Sequence, residues 1–231
     1  MCAKKYWSNP NYLTINDHPY LSVYTAYTLS SNPPEKIAQV IDEMKQYSHS
    51  QYKIDPYLVG VATEYYKPDE LVRVGFDALT GYAWLPDFKV GSPAIQQYRE
   101  LLERRQKDWV EARLLGVPIV PPAVVGWDAS ARFEDGYSID VVKDVEKSGL
   151  YDYPLVPIIV GDSAEDFERM LRLTRKFVRD HVPPKEQYNI ICAWNEITEG
   201  CALLPQVVSG AVDLSYLQAV RRVMIEDPTA L

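Results

Sequence analysis

The sequence predicts an α/β fold with a parallel sheet, in the form of a (β/α) barrel of the TIM type carrying only the last five or so of its eight β/α units. Three observations point there. Short apolar runs alternate with longer amphipathic stretches, the runs are apolar at nearly every position, and polar and aromatic residues gather just after the runs end. Continuous apolarity marks strands covered on both faces, which in an alternating chain means a parallel sheet between helices. The strand ends at Tyr24 to Tyr27, Tyr82 to Trp84, Trp127-Asp128 and Asn195 to Glu199 match the face on which barrel enzymes build their sites. The competing architecture is a doubly wound open sheet. No G-x-G-x-x-G or G-x-x-x-x-G-K-[ST] follows any strand, which favours the barrel.

The first strand is expected over Tyr20 to Thr25. Pro33-Pro34 then open a helix with Ile37, Val40, Ile41 and Met44 on one face, since proline suits the first helical position. A strand over Tyr57 to Thr63 and a short helix from Pro68 to about Val74 follow. Ala78 to Trp84 reads as the third strand. A long helix is expected from Pro93 to about Leu115, with Ile95, Tyr98, Leu102 and Trp109 at helical spacing, ended by Gly116. Pro118 to Val125 is the fourth strand. Residues 126–153 break the pattern, apart from one short helix around Val141 to Lys147, and loops of that length inside domains are usually functional or disordered. Leu155 to Gly161 is extended. Ser163 with Asp166 forms a capping-box signature for a helix to about His181, with Phe167, Met170, Leu171, Thr174, Phe177 and Val178 inward. Asn189 to Trp194 is the fifth clear strand, and a last helix runs from Asp213 to about Ile225.

No linker or low-complexity segment divides the chain, so residues 1–231 read as a single barrel domain lacking its N-terminal strands. The bare sheet edges of such a chain predict self-association by edge pairing. The chain has 231 residues, 47% of them hydrophobic, and a net charge of −8. That acidity, without blocks of like charge, argues against a nucleic-acid partner. No run of about 18 apolar residues is present to span a bilayer, and the first residues show no apolar signal core. Location stays open, with three unpaired cysteines leaning toward a reducing cytoplasm. Cys2, Cys192 and Cys201 are too few and too far apart in sequence for a disulfide framework or zinc site, and His18, His49 and His181 are scattered. Neither a metal nor a cofactor is expected, and carboxylates must carry any acid–base chemistry.

The densest cluster is Ala193-Trp194-Asn195-Glu196-Ile197-Thr198-Glu199-Gly200. Paired carboxylates can divide the work of glycoside cleavage, one protonating the leaving oxygen and the other acting as base or nucleophile. On spacing alone, a solvated acidic loop is the favoured reading. After the fourth strand, Trp127, Asp128 and Arg132 offer a stacking ring and hydrogen bonds to hydroxyls; equally, Asp128 and Arg132 brace a loop and Trp127 is a lid on the core. Tyr82 and Trp84 alternate onto one face of the third strand, for core or for ligand, and Glu64 ends the second.

Four segments taken together, Y-W-S-N-P-N-Y-L-T-I-N-D-H-P-Y-L-S-V-Y (6–24), G-F-D-A-L-T-G-Y (75–82), V-V-G-W-D-A-S-A-R (124–132) and A-W-N-E-I-T-E-G (193–200), resemble the WbsX-type proteins. These are barrel proteins of bacterial polysaccharide loci, related to the family 99 glycoside hydrolases (endo-α-mannosidases). The resemblance runs in order along nearly the whole chain and covers the later part of that barrel. It implies that Glu196 helps the sugar's 2-hydroxyl act as an internal nucleophile through a 1,2-anhydro intermediate. It further implies that Glu199 is the general acid and then base, giving retention without a covalent enzyme adduct. The chain departs from the pattern at Ile197, where the family motif has Trp, and at Leu203-Leu204-Pro205-Gln206, where an L-E-P-D is usual.

A retaining glycoside hydrolase acting on α-mannoside-like or bacterial polysaccharide linkages is therefore the leading expectation, with an oligosaccharide or polysaccharide as partner. The alternatives are a glycosyltransferase of lipopolysaccharide, O-antigen or other surface-polysaccharide assembly, against which the missing D-x-D motif counts, and a non-catalytic glycan-binding remnant, which the two departures favour.

Overall fold

The computed structural model describes residues 3–24, 32–62, 68–87, 91–133, 146–147 and 157–226. The chain is a mixed α/β structure with parallel strands, and its residues divide into two compact units. One comprises residues 1–82, 109–121 and 177–188; the other comprises 83–108, 122–176 and 189–231.

The first unit holds a five-stranded sheet. Strands β1 (Thr14–Ile15), β2 (His18–Tyr24), β3 (Tyr57–Ala62), β4 (Ala78–Gly81) and β6 (Ile119–Val120) are neighbours in that order. β2, β3, β4 and β6 are parallel, while the two-residue β1 folds back antiparallel on β2. Asn16 and Asp17 have positive φ in the turn between β1 and β2, which suits their short polar side chains. Leu58 and Val59 on β3 are buried although they point to opposite faces, as a strand covered on both sides requires. Ile15, Tyr57, Val59 and Ala78 form one apolar cluster with Tyr20 and Tyr188 packed on it. At Gly60 a Cβ would lie 2.8 Å from Cδ2 of Phe76, so only glycine lets that ring close onto β3.

Local signals place the long helix that precedes β3. Pro34 is the first residue of α1 (Pro34–Tyr52), and Lys53 in the left-handed region ends it. Its Lys45 Nζ donates to Asp77 Oδ1 at 2.9 Å. The other carboxylate oxygen of Asp77 accepts from the Leu58 amide at 2.8 Å. Asp77 thus ties helix, β3 and the start of β4 together. His49 and His181 occupy helix ends; His49 contacts Asp55, and the His181 ring packs edge-on against Phe177.

Among the described residues, the second unit contains three strand pairs. β5 (Ile95–Gln97) runs parallel to β8 (Ile158–Val160), β7 (Pro122–Val124) runs parallel to β9 (Ile190–Cys192), and β10 (Gln206–Val208) with β11 (Ala211–Asp213) forms an antiparallel hairpin. Its core gathers Tyr98, Leu101, Leu102, Phe167, Met170 and Leu171, and the Tyr98 hydroxyl donates to the Val124 carbonyl at 2.6 Å. Half of the expected capping box forms: the Asp166 amide donates to Ser163 Oγ, while the bond back to Asp166 Oδ2 comes from the Ser163 hydroxyl.

Several expectations are corrected. The chain from Pro93 is not helical at once. Residues 95–97 are a strand, because the buried Gln96 side chain binds the Asp87 amide and the Asp87 and Pro93 carbonyls, and the helix starts at Tyr98. The third strand stops at Gly81, so Tyr82 and Trp84 do not alternate along it. The fifth strand is Ile190–Cys192, shorter than expected. The last helix begins at Ser215, and a hairpin with exposed Val207, Val208 and Val212 precedes it, turning through Ser209 and Gly210 at positive φ. Thr25, Thr63 and nearly all of the helix expected around Val141 to Lys147 lie outside the described residues.

Arg99 grips the buried Asp166 carboxylate with Nε at 2.9 Å and Nη2 at 3.2 Å. These bonds, with the one from Ser163, hold the Asp166 carboxyl below the ordinary carboxylate range against the opposing effect of burial. A folded-state pKa below the unfolded one adds stability above the unfolded value, and that contribution is lost as pH falls through the folded value. Arg99→Met is therefore expected to be less stable than the native chain at neutral pH. The gap should close on acidification below about pH 4, read from urea unfolding across pH. A gap that stays constant down to the acid limit contradicts the assignment.

Candidate functional site

The site candidates of the second unit lie on two loops that leave neighbouring parallel strands. Val124 pairs with Cys192, and the Val125 amide donates to the Cys192 carbonyl at 3.1 Å, so β7 and β9 deliver their following loops side by side. The first loop runs from Gly126 to a single 3-10 turn over Ser130–Arg132. The second runs from Ala193 to a 3-10 turn over Ile197–Glu199, ended by Gly200 in the left-handed region.

The loops touch through backbone. The Asp128 amide donates to the Glu199 carbonyl at 2.8 Å. A Cβ on Gly126 would stand 2.9 Å from the Gly200 carbonyl oxygen, and one on Gly200 would stand 2.9 Å from the Asp128 nitrogen. Each glycine is thus the clearance for the other loop. Asp128 Oδ1 accepts from the Ser130 amide at 2.9 Å, a local turn bond that starts the 3-10 turn.

That turn aims Arg132 at the second loop. Its guanidinium donates from Nη2 to Glu196 Oε1 at 2.7 Å, from Nη1 to Glu199 Oε1 at 3.0 Å and from Nε to Thr198 Oγ1 at 2.8 Å. Thr198 Oγ1 in turn donates to Glu196 Oε1 at 3.1 Å. One cation therefore holds both carboxylates, and three of its donors are engaged at once. The Glu199 side chain is 6% exposed, that of Glu196 30% and that of Arg132 34%. Glu196 is the carboxylate open to solvent, and Glu199 sits beneath it. The guanidinium can balance charge in this cleft, and the pair offers two acceptors to a hydroxylated ligand.

The remaining expected residues are placed as follows. Trp127 is 5% exposed, and its carbonyl accepts from the Ile159 amide, joining the first loop to β8. Trp194 and Asn195 are exposed on the second loop beside the pair, with Ile197 also exposed. Trp84 is half-buried in the second unit, just beyond the end of the strand that stops at Gly81. Tyr82 belongs to the first unit, where its ring meets Tyr24 edge-on at 5.7 Å and its amide donates to Ala62. Glu64 lies outside the described residues.

Two groups escaped the sequence reading. Asp162, just past β8, accepts from the Tyr216 hydroxyl at 2.7 Å and lies beside Gly126. Burial, then the Asp162 carboxylate, pushes the Tyr216 hydroxyl above its ordinary pKa, which keeps it a donor. A Gly-Asp directly after an apolar run was the available signal. The second is the thiol pair Cys192 and Cys201, at the two ends of the glutamate loop with sulfurs 3.7 Å apart.

The glycine clearance gives a test. Gly200→Ala meets both a positive φ and the backbone of Asp128, whereas Gly210→Ala meets a positive φ in open space. Denaturant unfolding is expected to show a loss of about 1 kcal/mol for Gly210→Ala and about 2–4 kcal/mol for Gly200→Ala. Equal losses would mean that the loops do not approach as described.

No family model matches the sequence, and no curated protein matches it. Solved structures do. A GH99 endo-α-mannosidase from Bacteroides thetaiotaomicron, in complex with bis-tris propane, matches with a TM-score of 0.57 at 13% identity over 98% of this chain and 62% of that one. A second structure of the GH99 endo-α-mannosidase from the same organism matches with a TM-score of 0.55 at 12% identity over 93% of this chain and 53% of that one. The chain spans between half and two thirds of the length of those two enzyme chains. At such identities the likeness is one of fold: over most of its own length, this chain is built like part of a GH99 endo-α-mannosidase.

Proposed function

We propose that the chain is the site-bearing part of a (β/α)-barrel glycoside hydrolase that acts with retention on α-mannoside-like or bacterial polysaccharide linkages. The observation that carries the reading is the convergence of Glu196 and Glu199 on Arg132, at the ends of parallel strands, in a fold like that of a glycoside hydrolase. Glu196 is the more exposed carboxylate and takes the proton of the sugar's 2-hydroxyl, which attacks the anomeric carbon and displaces the leaving group. Glu199, which enters the step in its protonated form in the substrate complex, gives that proton to the departing glycosidic oxygen. It then removes a proton from the water that opens the 1,2-anhydro ring, while Glu196 returns its proton to the 2-oxygen. Two inversions at one carbon leave the configuration retained. Both glutamates end in their starting states, and no bond to the protein forms.

In this role Arg132 fixes the separation of the two carboxylates, and the exposed Trp194 ring offers a flat apolar face for a sugar. The ion pairing at Arg132 also supports a second reading, glycan binding without cleavage, because both carboxylates are held by a cation before any ligand arrives.

The full-length natural protein is expected to cleave α-mannoside oligosaccharides or a bacterial polysaccharide. Glu199→Gln and Glu196→Gln should each lose about 100-fold or more in turnover while still unfolding in one cooperative transition, at a temperature lowered by the lost ion pair to Arg132. Undiminished cleavage by either variant contradicts the assignment. Glycan binding without cleavage in the native protein, surviving in both variants, supports the second reading.

A further inference from the structure

The loop carrying the two glutamates begins and ends at a cysteine. Cys192 closes strand β9, and Cys201 follows Gly200. The limbs are laced together at that point: the Ala193 amide donates to the Cys201 carbonyl at 2.7 Å, the Leu203 amide donates to the Ala193 carbonyl at 2.9 Å, and the Cys201 amide donates to the Glu196 carbonyl at 3.2 Å. The two thiols meet across the lacing, with sulfurs 3.7 Å apart and both side chains buried. Of the chain's three cysteines, two thus face each other at the neck of its most chemically loaded loop.

We infer that Cys192 and Cys201 are a dithiol–disulfide site, whose oxidised form links the two ends of the segment that holds Glu196 and Glu199. Bonding needs the sulfurs to close from 3.7 Å to about 2.05 Å, a distance that side-chain rotation can supply where the backbone limbs are already paired. The co-reactant is a low-molecular-weight disulfide. One cysteine thiolate attacks it, giving a mixed disulfide and releasing one small thiol. The second cysteine, losing its proton, attacks the protein sulfur of that intermediate and releases the other small thiol. The two cysteines together lose two protons and two electrons, and the small disulfide is reduced to two thiols.

In the reduced chain the hydrogen bond between the two thiols, followed by burial, pushes the Cys192 thiol far above its ordinary pKa. Attack therefore needs the neck to open, so exchange is slow in the native state and rapid while the chain folds. Once formed, the bond closes a short ring, and its stabilisation is modest because the loop it restricts is small. The site itself stands on the cysteine geometry. Only its influence on cleavage rests on the hydrolase reading, so its test reads covalent state and melting rather than turnover.

The full chain, native and with Cys2→Ser, is equilibrated in glutathione buffers from fully reducing to fully oxidising, in enough urea to open the loop. The urea is then removed and free thiols are alkylated. In the oxidising buffers the Cys2→Ser chain is expected to be about 2 Da lighter than its reduced form before alkylation and to take up no alkyl group, with a peptide joined through Cys192 and Cys201 and a melting temperature a few degrees higher. Cys192→Ser should show neither change. Separate glutathione adducts on the two cysteines, free thiols in the most oxidising buffer, or a link from either cysteine to Cys2 in the native chain would each overturn the inference. A Cys192–Cys201 link that lowers the melting temperature would overturn it as well.

Discussion

Two loops from adjacent parallel strands can share one site only if their backbones approach closely, and here that approach is set by glycine on both sides. Gly126 and Gly200 leave room for each other's loop at distances no side chain tolerates. The Asp128 amide then reaches the Glu199 carbonyl, and Arg132 reaches three side chains of the opposite loop. Without the clearance the guanidinium would fall short, and Glu199, nearly sealed from solvent, would hold a buried charge without that cation. Breaking a buried pair costs more than the pair itself contributes, because desolvation of the stranded charge remains. The glycine contact is thus upstream of the electrostatics.

The strands make that contact reproducible. β7 and β9 are in register at Val124 and Cys192, so both loops start at the same level of the sheet. The Tyr98 hydroxyl caps the Val124 carbonyl from below, and the Ile159 amide holds the Trp127 carbonyl from β8. These bonds leave the loops little freedom near their origins, and preorganised charge is what acid–base chemistry requires. A site built this way belongs to the unit that contains it, which accords with a fold like part of a much longer GH99 chain.

Much of this was legible from residues alone because the signals are local. Pro34 at a helix start, Ser163 Oγ accepting from the Asp166 amide and Gly116 at φ 83° each satisfy a backbone need that lies within a few residues. Strand and helix alternation was equally visible, because strands buried on both faces are apolar throughout. What failed left no mark in the pattern of the segment itself. Ile95-Gln96-Gln97 looks like the first turn of a helix until the Gln96 amide is seen holding Asp87 and Pro93. The hairpin from Gln206 to Asp213 carries its valines outward, so it offers no half-buried alternation to read. Within the site, both glutamates and Arg132 stood out by type and by position after strands. The bond between them could not be read, because 64 and 67 residues separate the guanidinium from its two carboxylates.

The measurement that addresses the account most directly is a double-mutant cycle between Arg132→Met and Glu199→Gln, with unfolding free energy as the readout. Since the guanidinium is about one-third exposed, solvent screening reduces the coupling below that of a sealed pair. The expected interaction energy is about 1–3 kcal/mol, with the double variant more stable than the sum of the single losses predicts. Additive losses, with no coupling beyond error, would show that Arg132 does not hold Glu199, and the two-loop site as described would not exist.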